Sequence, residues 1–530
     1  MTETLDPTAA DGPPPVLPPG AEPVDYPNAA AIPAALHGPE SSLAGITVVV
    51  TGLGVSGYPA AVHLAERGAE VIVVDGDTAR DRSEYEAILA VFDVDIRRGP
   101  EHVSEVPTGR SGRTPDLVVT SPGWRPDQPL LAAAAARGIP VIGEVELAWR
   151  VRGANSAPWL VVTGTNGKTT TTTMLESMLR VAGLDVRACG NIGAPLLEAV
   201  LDPDAEVLAI ELSSFQLHWQ FSMCAEAAAV LNIAADHLDW HGSAEAYAAD
   251  KGRAYTNVRT ACVFNVDDPA TRALVEDAEV IAGARAVGFS SSVPGPGELG
   301  VVEDLLVDRA FIPQRYSAAA ELAALADVAR ASGTPDAPAA PHQVANALAA
   351  AALARAVGVP PAAVRDGLRA HAAGGHRLAL VAEHRGCRWF DDSKATNPHA
   401  ADAALRAFDD IVWIAGGLAK GAEYGDLVAA HAHRLRAVVL IGEDRAPLRS
   451  ALAAHAPEVS VHEVDLPVSE LAPAERGGPV MDRAVDLALA AARPGDTVLL
   501  APAAASMDQF LDYAARGDAF ARAVHERAEA

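Results

Sequence analysis

Thirteen residues, Trp159 to Thr171 (WLVVTGTNGKTTT), constrain the fold of this chain more than any other segment. The apolar run 159–163 is typical of a buried strand, and a polar, glycine-containing loop follows it. A helical pattern then runs from Lys168 to about Arg180. Loop N–H groups and a helix N-terminus bind phosphate, a lysine adds a positive charge, and the hydroxyl of Thr169 can hold Mg²⁺. The segment predicts a phosphate-binding site, with a tight turn before a helix as the alternative.

The loop departs from the common pattern G-x-x-x-x-G-K-[ST]. Val162 occupies the position at which that pattern has its first glycine. The loop therefore does not support assignment to the P-loop NTPases in general. The departure indicates a narrower group of phosphate-binding proteins.

Length, charge and cysteine content exclude several classes of protein. A chain of 530 residues is long for one core and suggests about three domains. The net charge of −28 argues against binding to nucleic acid or to anionic membranes. Four cysteines without C-x-x-C spacing indicate a reducing, cytoplasmic compartment. Because we find no long apolar span and no basic-then-apolar leader, we expect a protein that does not insert into membranes.

Strands that alternate with helices predict three consecutive α/β domains. Residues 1–44 are rich in Pro, Ala and acidic residues and are predicted to form a disordered tail. The predicted domains are 45–147, 148–374 and 375–530, and the second contains an irregular segment at 289–340. In addition to 159–163, the predicted strands include 70–75, 116–120, 139–142, 207–211, 228–233, 261–266, 411–415, 437–441 and 497–500. A long helix is predicted over 342–357.

Polar residues of the second domain follow its predicted strands, where parallel sheets bind their ligands. Glu211 closes the strand 207–211, and His237 comes shortly after the strand 228–233. Together with the hydroxyl of Thr169 they form a candidate set of Mg²⁺ ligands. The alternatives are a helix-capping acid for Glu211 and an ordinary loop histidine for His237.

Lys251 lies on the apolar face of a predicted helix, for which Ser243 is the expected N-cap. A lysine on a buried face must find a partner or lose its charge, because burial favours the neutral amine. A neutral amine near Mg²⁺ can react with CO₂ to form a carbamate, which would make it a metal-binding carboxylate. The alternative is that the side chain extends to solvent.

The first and third domains also carry candidate binding residues. The turn Gly52 to Gly57 (GLGVSG) follows a strand and opens a helix, and Asp75 closes the next strand, which is the spacing of a dinucleotide-binding fold. In the third domain Arg377, Lys394 and Lys420 are loop cations suited to an anionic substrate. Solvated surface charge is the alternative for each of them.

Taken together, the motifs resemble those of the Mur ligase family, ATP-dependent amide-forming enzymes of peptidoglycan precursor synthesis. The motifs, between about Ile46 and Arg522, are TGTNGKTT, GNIG, ELSSFQL, DHLDWHG, DSKATN and APAAASMDQF. The pair DSKATN and SMDQF resembles the corresponding motifs of those family members that add D-glutamate to UDP-N-acetylmuramoyl-L-alanine. One alternative is the same chemistry with another amino acid or stereoisomer, such as L-glutamate. The other is a non-catalytic nucleotide-binding regulator.

The resemblance implies an architecture and a set of partners. It implies an α/β fold with a Rossmann-like N-terminal domain for the UDP substrate, a P-loop-type central ATPase and a Rossmann-like C-terminal domain for the amino acid. ATP and Mg²⁺ are the implied cofactors, and we expect a cytoplasmic monomer. In one departure from the family, Asp77 stands where a basic residue can help at the uracil.

The resemblance also implies a role for each matched residue. Those implied to bind ATP are Gly164, Thr165, Asn166, Gly167, Lys168, Thr169, Thr170, Asn346, Arg377 and Asp392. Those implied at the metal sites are Thr169, Glu211, His237 and Lys251 as its carbamate, with Lys168, His237 and Lys251 as catalytic residues. Those implied to bind the substrates are Ser56 and Asp75 at the uridine nucleotide, Asn191 in GNIG, and Thr396, Lys420, Ser506 and Tyr513 around the amino acid.

Overall fold

The computed structural model describes residues 31–110, 112–335, 338–372, 374–465 and 473–529. The chain forms two compact units. The first comprises residues up to Ile233 together with Ala248–His371 and contains two sheets, and the second comprises Ala234–Tyr247 with Ala372 onwards and contains one. Among the described residues no helix is both long and apolar enough to cross a bilayer. The four cysteines are buried and free.

The first sheet has five parallel strands in the order β3-β2-β1-β4-β5. Its central strands are runs of Val, Ile and Leu, as expected for strands that are covered on both faces. The strands are β1 Thr47–Thr51, β2 Glu70–Asp75, β3 Asp95–Arg98, β4 Leu117–Thr120 and β5 Val141–Gly143, and the helices are α1 Gly57–Glu66, α2 Ser83–Val91, α3 Pro129–Ala136 and α4 Glu144–Val151.

The second sheet has nine strands in the order β14-β13-β12-β11-β10-β9-β6-β8-β7. The strands are β6 Trp159–Thr163, β7 Val186–Gly190, β8 Val207–Glu211, β9 Ala227–Val230, β10 Ala261–Asn265, β11 Arg285–Phe289, β12 Glu298–Val302, β13 Leu305–Asp308 and β14 Ala320–Ala324. The helices of this stretch are α5 Lys168–Val181, α6 Leu196–Leu201, α7 Ser214–His218, α8 Leu238–His241, α9 Ala244–Gly252, α10 Pro269–Glu276, α11 Leu325–Ala331, α12 Pro341–Ala356 and α13 Pro361–Ala370.

Helices α12 and α13 pack on α5, the helix that begins at the predicted phosphate loop. Every side chain of α12 from Ala347 to Ala354 is buried. Gly367 brings α13 close to α5, because a Cβ at this position would lie 2.5 Å from Cα of Met178. The small residues of α12 and α13 therefore fix α5, and with it the loop at its N-terminus.

The prediction of an irregular segment over 289–340 is wrong. Strands β12, β13 and β14 lie there and extend the sheet through two antiparallel ladders, before α11 begins at Leu325. These strands are short, and β12 buries only two of its five residues, Leu299 and Gly300. They lack the continuous apolar runs that identify buried parallel strands, so the sequence pattern does not reveal them.

The third sheet lies in the second unit and has the order β15-β16-β20-β17-β18-β19. Only β15 runs antiparallel to its neighbour, β16. The strands are β15 Ala379–His384, β16 Cys387–Asp391, β17 Ile411–Gly416, β18 Leu435–Ile441, β19 Ser460–Glu463 and β20 Thr497–Leu500, and the helices are α14 Pro398–Leu405, α15 Gly425–His431, α16 Ala446–His455, α17 Pro473–Ala491 and α18 Tyr513–Ala528.

The described part of the predicted tail is not disordered. Residues 1–30 lie outside the described residues, but in 31–44 the side chains of Ile32, Leu36 and Leu43 are buried in the core beside the first sheet. The Leu43 N–H donates to the carbonyl of Arg67 at 2.8 Å. These three apolar residues stabilise a segment that its high content of Pro and Ala predicts to be unstructured.

The α/β fold class is confirmed by the three sheets. Each predicted strand end lies within three residues of the observed one, and the helix predicted over 342–357 is α12. The predicted domain limits at 45–147, 148–374 and 375–530 remain predictions.

Candidate active site

The loop between β6 and α5 is held by hydrogen bonds between its main-chain groups and Asn232. The N–H groups of Thr165 and Asn166 donate to the carbonyl and to Oδ1 of Asn232, at 2.9 and 2.8 Å. The side-chain amide of Asn232 donates to the carbonyl of Asn166 at 3.0 Å. Asn232 follows β9, the strand that pairs with β6. Sequence analysis did not single out this residue, which fixes the path of the loop.

Two glycines allow the loop to take its shape. Gly164 has φ +149°, and a Cβ there would lie 3.0 Å from Cβ of Leu231. Gly167 has a left-handed φ of +86°, and a Cβ there would overlap Oδ1 of Asn346. Val162 is fully buried within β6. The strand therefore continues through the position of the first glycine in G-x-x-x-x-G-K-[ST], and the first glycine of this loop is Gly164, two residues later. Asn346, 7% exposed on α12, lies against this loop.

Lys168 is the first residue of α5 and folds back over the loop. Its Nζ donates to the carbonyls of Gly164 and Thr165, both at 2.9 Å. Thr169 and Thr170 follow in the first turn of α5 and are half-buried. The loop, the amine and the helix N-terminus together form a cradle suited to phosphate.

Glu211 lies at the carboxyl end of β8, where it pairs with Val162 on one side and with Gly190 on the other. Its side chain is buried, and Oε1 accepts a hydrogen bond of 2.8 Å from the amide of Asn191. Oε2 is buried without a hydrogen-bond partner among the described residues. An unpaired buried carboxylate oxygen is costly unless a cation binds it, so this environment fits Mg²⁺. Helix capping is excluded for Glu211, because the Ser213 hydroxyl caps α7.

Lys251 is 2% exposed, so the alternative of a side chain extended to solvent is wrong. The predicted N-cap is confirmed, since the Ser243 hydroxyl accepts from the N–H of Ala246 at 3.1 Å. Lys251 Nζ donates to the carbonyl of Gly164 at 2.9 Å. The amine of Lys168 contacts the same oxygen. Two amines on one oxygen would repel each other if both were protonated, and converting one to an anion would remove the repulsion.

The carboxyl edge of the first sheet brings Ser56 and Asp75 to the glycine turn. Asp75 accepts hydrogen bonds from the N–H groups of Leu53 and Asp77, at 2.7 and 2.8 Å. Ser56 precedes α1, and its side chain hydrogen-bonds Glu144. Burial raises the pKa of the Glu144 carboxyl, and the hydrogen bond from Ser56 opposes the rise. Glu144 is a second residue that sequence analysis missed.

In the second unit, Arg377 and Asp392 are brought within electrostatic reach of each other. Asp392 follows β16, and its Oδ1 accepts from the N–H of Leu378 at 3.2 Å. Enclosure by protein atoms raises the pKa of Asp392 to about 7, and the negative charge of Asp391 adds to the rise. The hydrogen bond from Leu378 and the charge of Arg377 oppose it.

Three loops at the carboxyl edge of the third sheet carry residues predicted around the amino acid. The loop after β16 contains Thr396, the loop after β17 contains Lys420, and the loop after β20 contains Ser506. The first and third are joined by a hydrogen bond of 2.9 Å from the N–H of Ala503 to the carbonyl of Ala395, and Leu418 and Ala505 pair the second with the third. Lys420 is exposed and Ser506 is buried. The ring of Tyr513, at the start of α18, lies 3.8 Å from Lys394 Nζ.

Arg516 holds two of these loops together. Its guanidinium donates to the Ser393 hydroxyl at 2.9 Å, to the Ser393 carbonyl at 2.8 Å and to the Ala504 carbonyl at 3.1 Å. The Ser393 hydroxyl donates to the carbonyl of Tyr513 at 2.7 Å. Burial lowers the pKa of Arg516 to about 10, so the guanidinium stays charged at neutral pH. Arg516 was missed, although its spacing from Phe520 places it on the apolar face of α18.

His237 lies in the second unit, at the start of α8 and with a left-handed φ of +53°. Its Nε2 is 3.7 Å from a carboxylate oxygen of Asp236. Thr169, Glu211 and Lys251 belong to the first unit. Within the ranges that the structure describes, no group of three His, Cys, Asp or Glu side chains could by itself hold a metal ion. A site with few protein ligands suits Mg²⁺, which binds through one or two carboxylates, water and phosphate oxygens.

Comparison with known proteins identifies the class to which this fold and site belong. Three family models match: "Mur ligase MurD-like, N-terminal domain" over residues 46–143, "Mur ligase middle domain" over 162–304 and "Mur ligase, glutamate ligase domain" over 376–504. The chain belongs to the Mur ligase family of ATP-dependent, amide-forming ligases.

The names of its relatives specify one reaction within this family. A protein of Streptomyces avermitilis, 58% identical over 91% of this chain and 98% of its own length, is named UDP-N-acetylmuramoylalanine–D-glutamate ligase. A protein of Streptomyces coelicolor with the same name is 56% identical over 92% of this chain and 99% of its own length. Among solved structures, the UDP-N-acetylmuramate–alanine ligase MurC of Thermotoga maritima matches 91% of this chain and all of its own, with a TM-score of 0.51 and 18% identity. That match supports the fold alone.

Proposed function

We propose that this chain uses ATP to join D-glutamate to UDP-N-acetylmuramoyl-L-alanine, a step of peptidoglycan precursor synthesis. The observation that carries the proposal is the phosphate cradle at Gly164, in a chain 58% identical to a relative named for this reaction. The intact lysines and the buried Glu211 argue against the alternative of a non-catalytic regulator.

The reaction proceeds in two steps. The terminal carboxylate of the UDP substrate attacks the γ-phosphorus of ATP, which gives an acyl phosphate and releases ADP. The amine of D-glutamate then attacks the acyl carbon, loses a proton and expels inorganic phosphate. The N–H groups at the N-terminus of α5 and the amine of Lys168 stabilise the negative charge on the transferring phosphoryl group.

Mg²⁺ would be held by Glu211, by the hydroxyl of Thr169 and by Lys251 as its carbamate, with His237 as a further group. When bound, it would offset the charge of the phosphate oxygens. The repulsion between the amines of Lys168 and Lys251 and the unpaired Oε2 of Glu211 support this assignment.

The remaining predicted residues divide between the nucleotides and the amino acid. Asn346, Arg377 and Asp392 would contact ATP, and Asn191 orients Glu211 near the reacting groups. The three joined loops of the third sheet, with Thr396, Lys420 and Ser506, and the ring of Tyr513 would hold D-glutamate. Ser56 and Asp75 would bind the uridine nucleotide. We further propose that the protein is cytoplasmic and that it is a monomer. Sedimentation of the purified chain would test whether it is a monomer.

A phosphate-release assay tests the proposal. The full chain, with ATP, Mg²⁺ and UDP-N-acetylmuramoyl-L-alanine, should release phosphate with D-glutamate and not with L-glutamate or other amino acids. Release with L-glutamate alone would assign the other stereoisomer, and absence of release with every amino acid would refute the ligase function.

A second assay tests the carbamate. Lys251→Met retains most of the apolar packing of the side chain and should lose nearly all turnover while its thermal midpoint stays close to that of the unaltered chain. The unaltered chain should also lose turnover in buffer stripped of CO₂ and regain it when bicarbonate is added. Near-normal turnover of Lys251→Met would refute the role.

A further inference from the structure

Helix α4 connects the packing of the first sheet to that of the second. It contacts β4 and β5 of the first sheet, and also α6 and α7, which connect strands of the second. Its buried side chains Val145 and Leu147 belong to one apolar cluster with Val50 of β1 and Val161 of β6. Because protein interiors are close-packed, a shift of α4 against either sheet would change the spacing between the two.

Glu146 fastens α4 to the segment 219–222, which follows α7. Its side chain is fully buried and accepts from the N–H groups of Phe221 and Ser222, both at 2.8 Å, and from the Ser222 hydroxyl at 2.6 Å. Arg150, one turn later on α4, donates to the same carboxylate at 2.6 Å. The cost of burying the carboxylate is therefore offset by donors that lie mostly on the segment 219–222.

Gly143, where β5 meets α4, approaches the same segment closely. Its N–H donates to the carbonyl of Trp219 at 2.9 Å, and a Cβ at this position would lie 2.9 Å from Cβ of Trp219. Trp219 is itself buried in the apolar cluster that contains Val49 and Ile72 of the first sheet. Gly143 has φ −96°, which suits any residue. The glycine therefore serves the close approach and not the conformation of the backbone.

The other side of the segment is fastened to the helix that carries Lys251. His218 Nδ1, at the end of α7, lies 2.8 Å from a carboxylate oxygen of Asp250. Arg253 donates to the carbonyl of His218 at 2.7 Å, and the side-chain amide of Gln220 donates to the carbonyl of Arg253 at 3.0 Å. A displacement of the segment relative to α4 would therefore separate Lys251 from the first sheet.

The proposed reaction requires a fixed spacing between these two sheets. The uridine end of the substrate is assigned to Ser56 and Asp75 on the first sheet, whereas its terminal carboxylate must meet the γ-phosphate at the loop after β6. Because one molecule spans both sites, a change in spacing moves the carboxylate away from the phosphorus while each nucleotide can still bind. A misplacement of about 1 Å can cost about 100-fold in rate.

We propose that Gly143 and Glu146 are positioning residues, which set the spacing between the first and second sheets and thereby hold the substrate carboxylate at the phosphate cradle. This inference rests on the proposed function, which assigns the two ends of one substrate to different sheets.

Formation of ADP in a single turnover, with ATP saturating and D-glutamate absent, measures the first chemical step alone. Gly143→Ala keeps the main-chain hydrogen bond but forces residues 143 and 219 apart, so this rate should fall by about tenfold or more. The affinities for UDP and for ATP, measured by calorimetric titration, should stay close to those of the unaltered chain. Gly153→Ala is the matched control, since its Cβ would lie at an ordinary 3.7 Å from the Ser156 hydroxyl, and it should change none of these quantities.

Glu146→Gln tests the carboxylate itself. A carboxamide can accept from the N–H groups of Phe221 and Ser222 only if its own NH₂ turns toward Arg150, where two donors then meet. The contact must therefore shift, and ADP formation should slow by about threefold or more. The affinities for UDP and ATP should again be unchanged.

Asp308→Asn is the matched control for Glu146→Gln. Both carboxylates are fully buried, and each pairs with an arginine that is 11% exposed, which is Arg355 in the case of Asp308. Asp308 likewise accepts from two main-chain N–H groups, but its partners lie on α12 and directly after β13, away from the first sheet. Both variants should lower the thermal midpoint, and only Glu146→Gln should slow ADP formation.

The outcomes separate this inference from the proposed function. Unchanged ADP formation in Gly143→Ala, or a Glu146→Gln rate no lower than that of Asp308→Asn, would overturn the positioning role and leave the proposed function intact. A slower rate that comes with weaker binding of UDP or ATP would also overturn it, because the damage would then be local to one site. If Gly143→Ala does not fold, Glu146→Gln and Asp308→Asn decide. An unaltered chain that forms no ADP with UDP-N-acetylmuramoyl-L-alanine would refute the proposed function and this inference together.

Discussion

Replacing Arg516 should open the loops that carry the predicted amino-acid site. In Arg516→Met the side chain still fills apolar space on α18, but its three hydrogen bonds to Ser393 and Ala504 are lost. The carbonyls of Ser393 and Ala504 then have no protein donor, and each buried unpaired group costs about 1–3 kcal/mol. Part of this cost is offset, because the variant no longer buries a charged guanidinium and because water can enter to bind the carbonyls. We expect a net loss of about 2–4 kcal/mol.

Hydrogen exchange followed by mass spectrometry measures this loss where it occurs. Peptides that span 389–397 and 502–510 should lose amide protection by about 30- to 700-fold, since about 1.4 kcal/mol corresponds to tenfold. Peptides from β1 and β2 in the first unit should be unchanged. Because Thr396 and Ser506 lie on the opened loops, KM for D-glutamate should also rise.

Two further variants isolate the cause. Arg516→Lys keeps the positive charge but cannot donate to all three acceptors, so its protection should fall between those of the unaltered chain and Arg516→Met. Arg522→Met removes an arginine on the same helix that is 52% exposed and should change little. Unchanged exchange of both peptides in Arg516→Met would refute the role of the guanidinium.

Three shorter predictions follow from the phosphate loop and from the acids Glu211 and Asp392. Gly167→Ala should lower the thermal midpoint and weaken ATP binding more than Gly183→Ala, because both glycines are left-handed but only a Cβ on Gly167 overlaps Asn346; equal effects in scanning calorimetry and ATP titration would contradict this. Glu211→Gln should raise the Mg²⁺ concentration for half-maximal turnover without lowering the thermal midpoint, since a buried amide is less costly than an unpaired carboxylate; an unchanged Mg²⁺ requirement would count against the metal assignment. The raised pKa of Asp392, about 7 against 3.8, means that the folded chain keeps a proton that the unfolded chain releases, so stability should fall as pH rises from about 4 to 7; urea unfolding across this range should show a smaller fall in Asp392→Asn.

The parts of the fold that could be predicted are those specified by nearby residues. Apolar runs that end at glycine identify the buried parallel strands, and the loop after β6 could be recognised because its glycines, lysine and threonines are contiguous. The antiparallel strands from Glu298 to Ala324 could not, because they are short and only partly buried.

Residues that act over long sequence distances were the hardest to find. Arg516 bonds Ser393, which is 123 positions away, and Asn232 bonds Asn166, which is 66 positions away. Both contact main-chain groups of their partner loops, and contacts of that kind leave no mark in the sequence. For Lys251 the helical period identified the apolar face correctly, but period alone could not distinguish a buried amine from one that reaches solvent.

Several hydrogen bonds that fix the phosphate loop are made to its main-chain atoms, and this has a consequence for its tolerance of mutation. Asn232 and the two lysines contact the N–H and carbonyl groups of residues 164–166, which every amino acid except proline presents alike. Proline is therefore excluded at Thr165 and Asn166, because it lacks the N–H that each of these residues donates to Asn232.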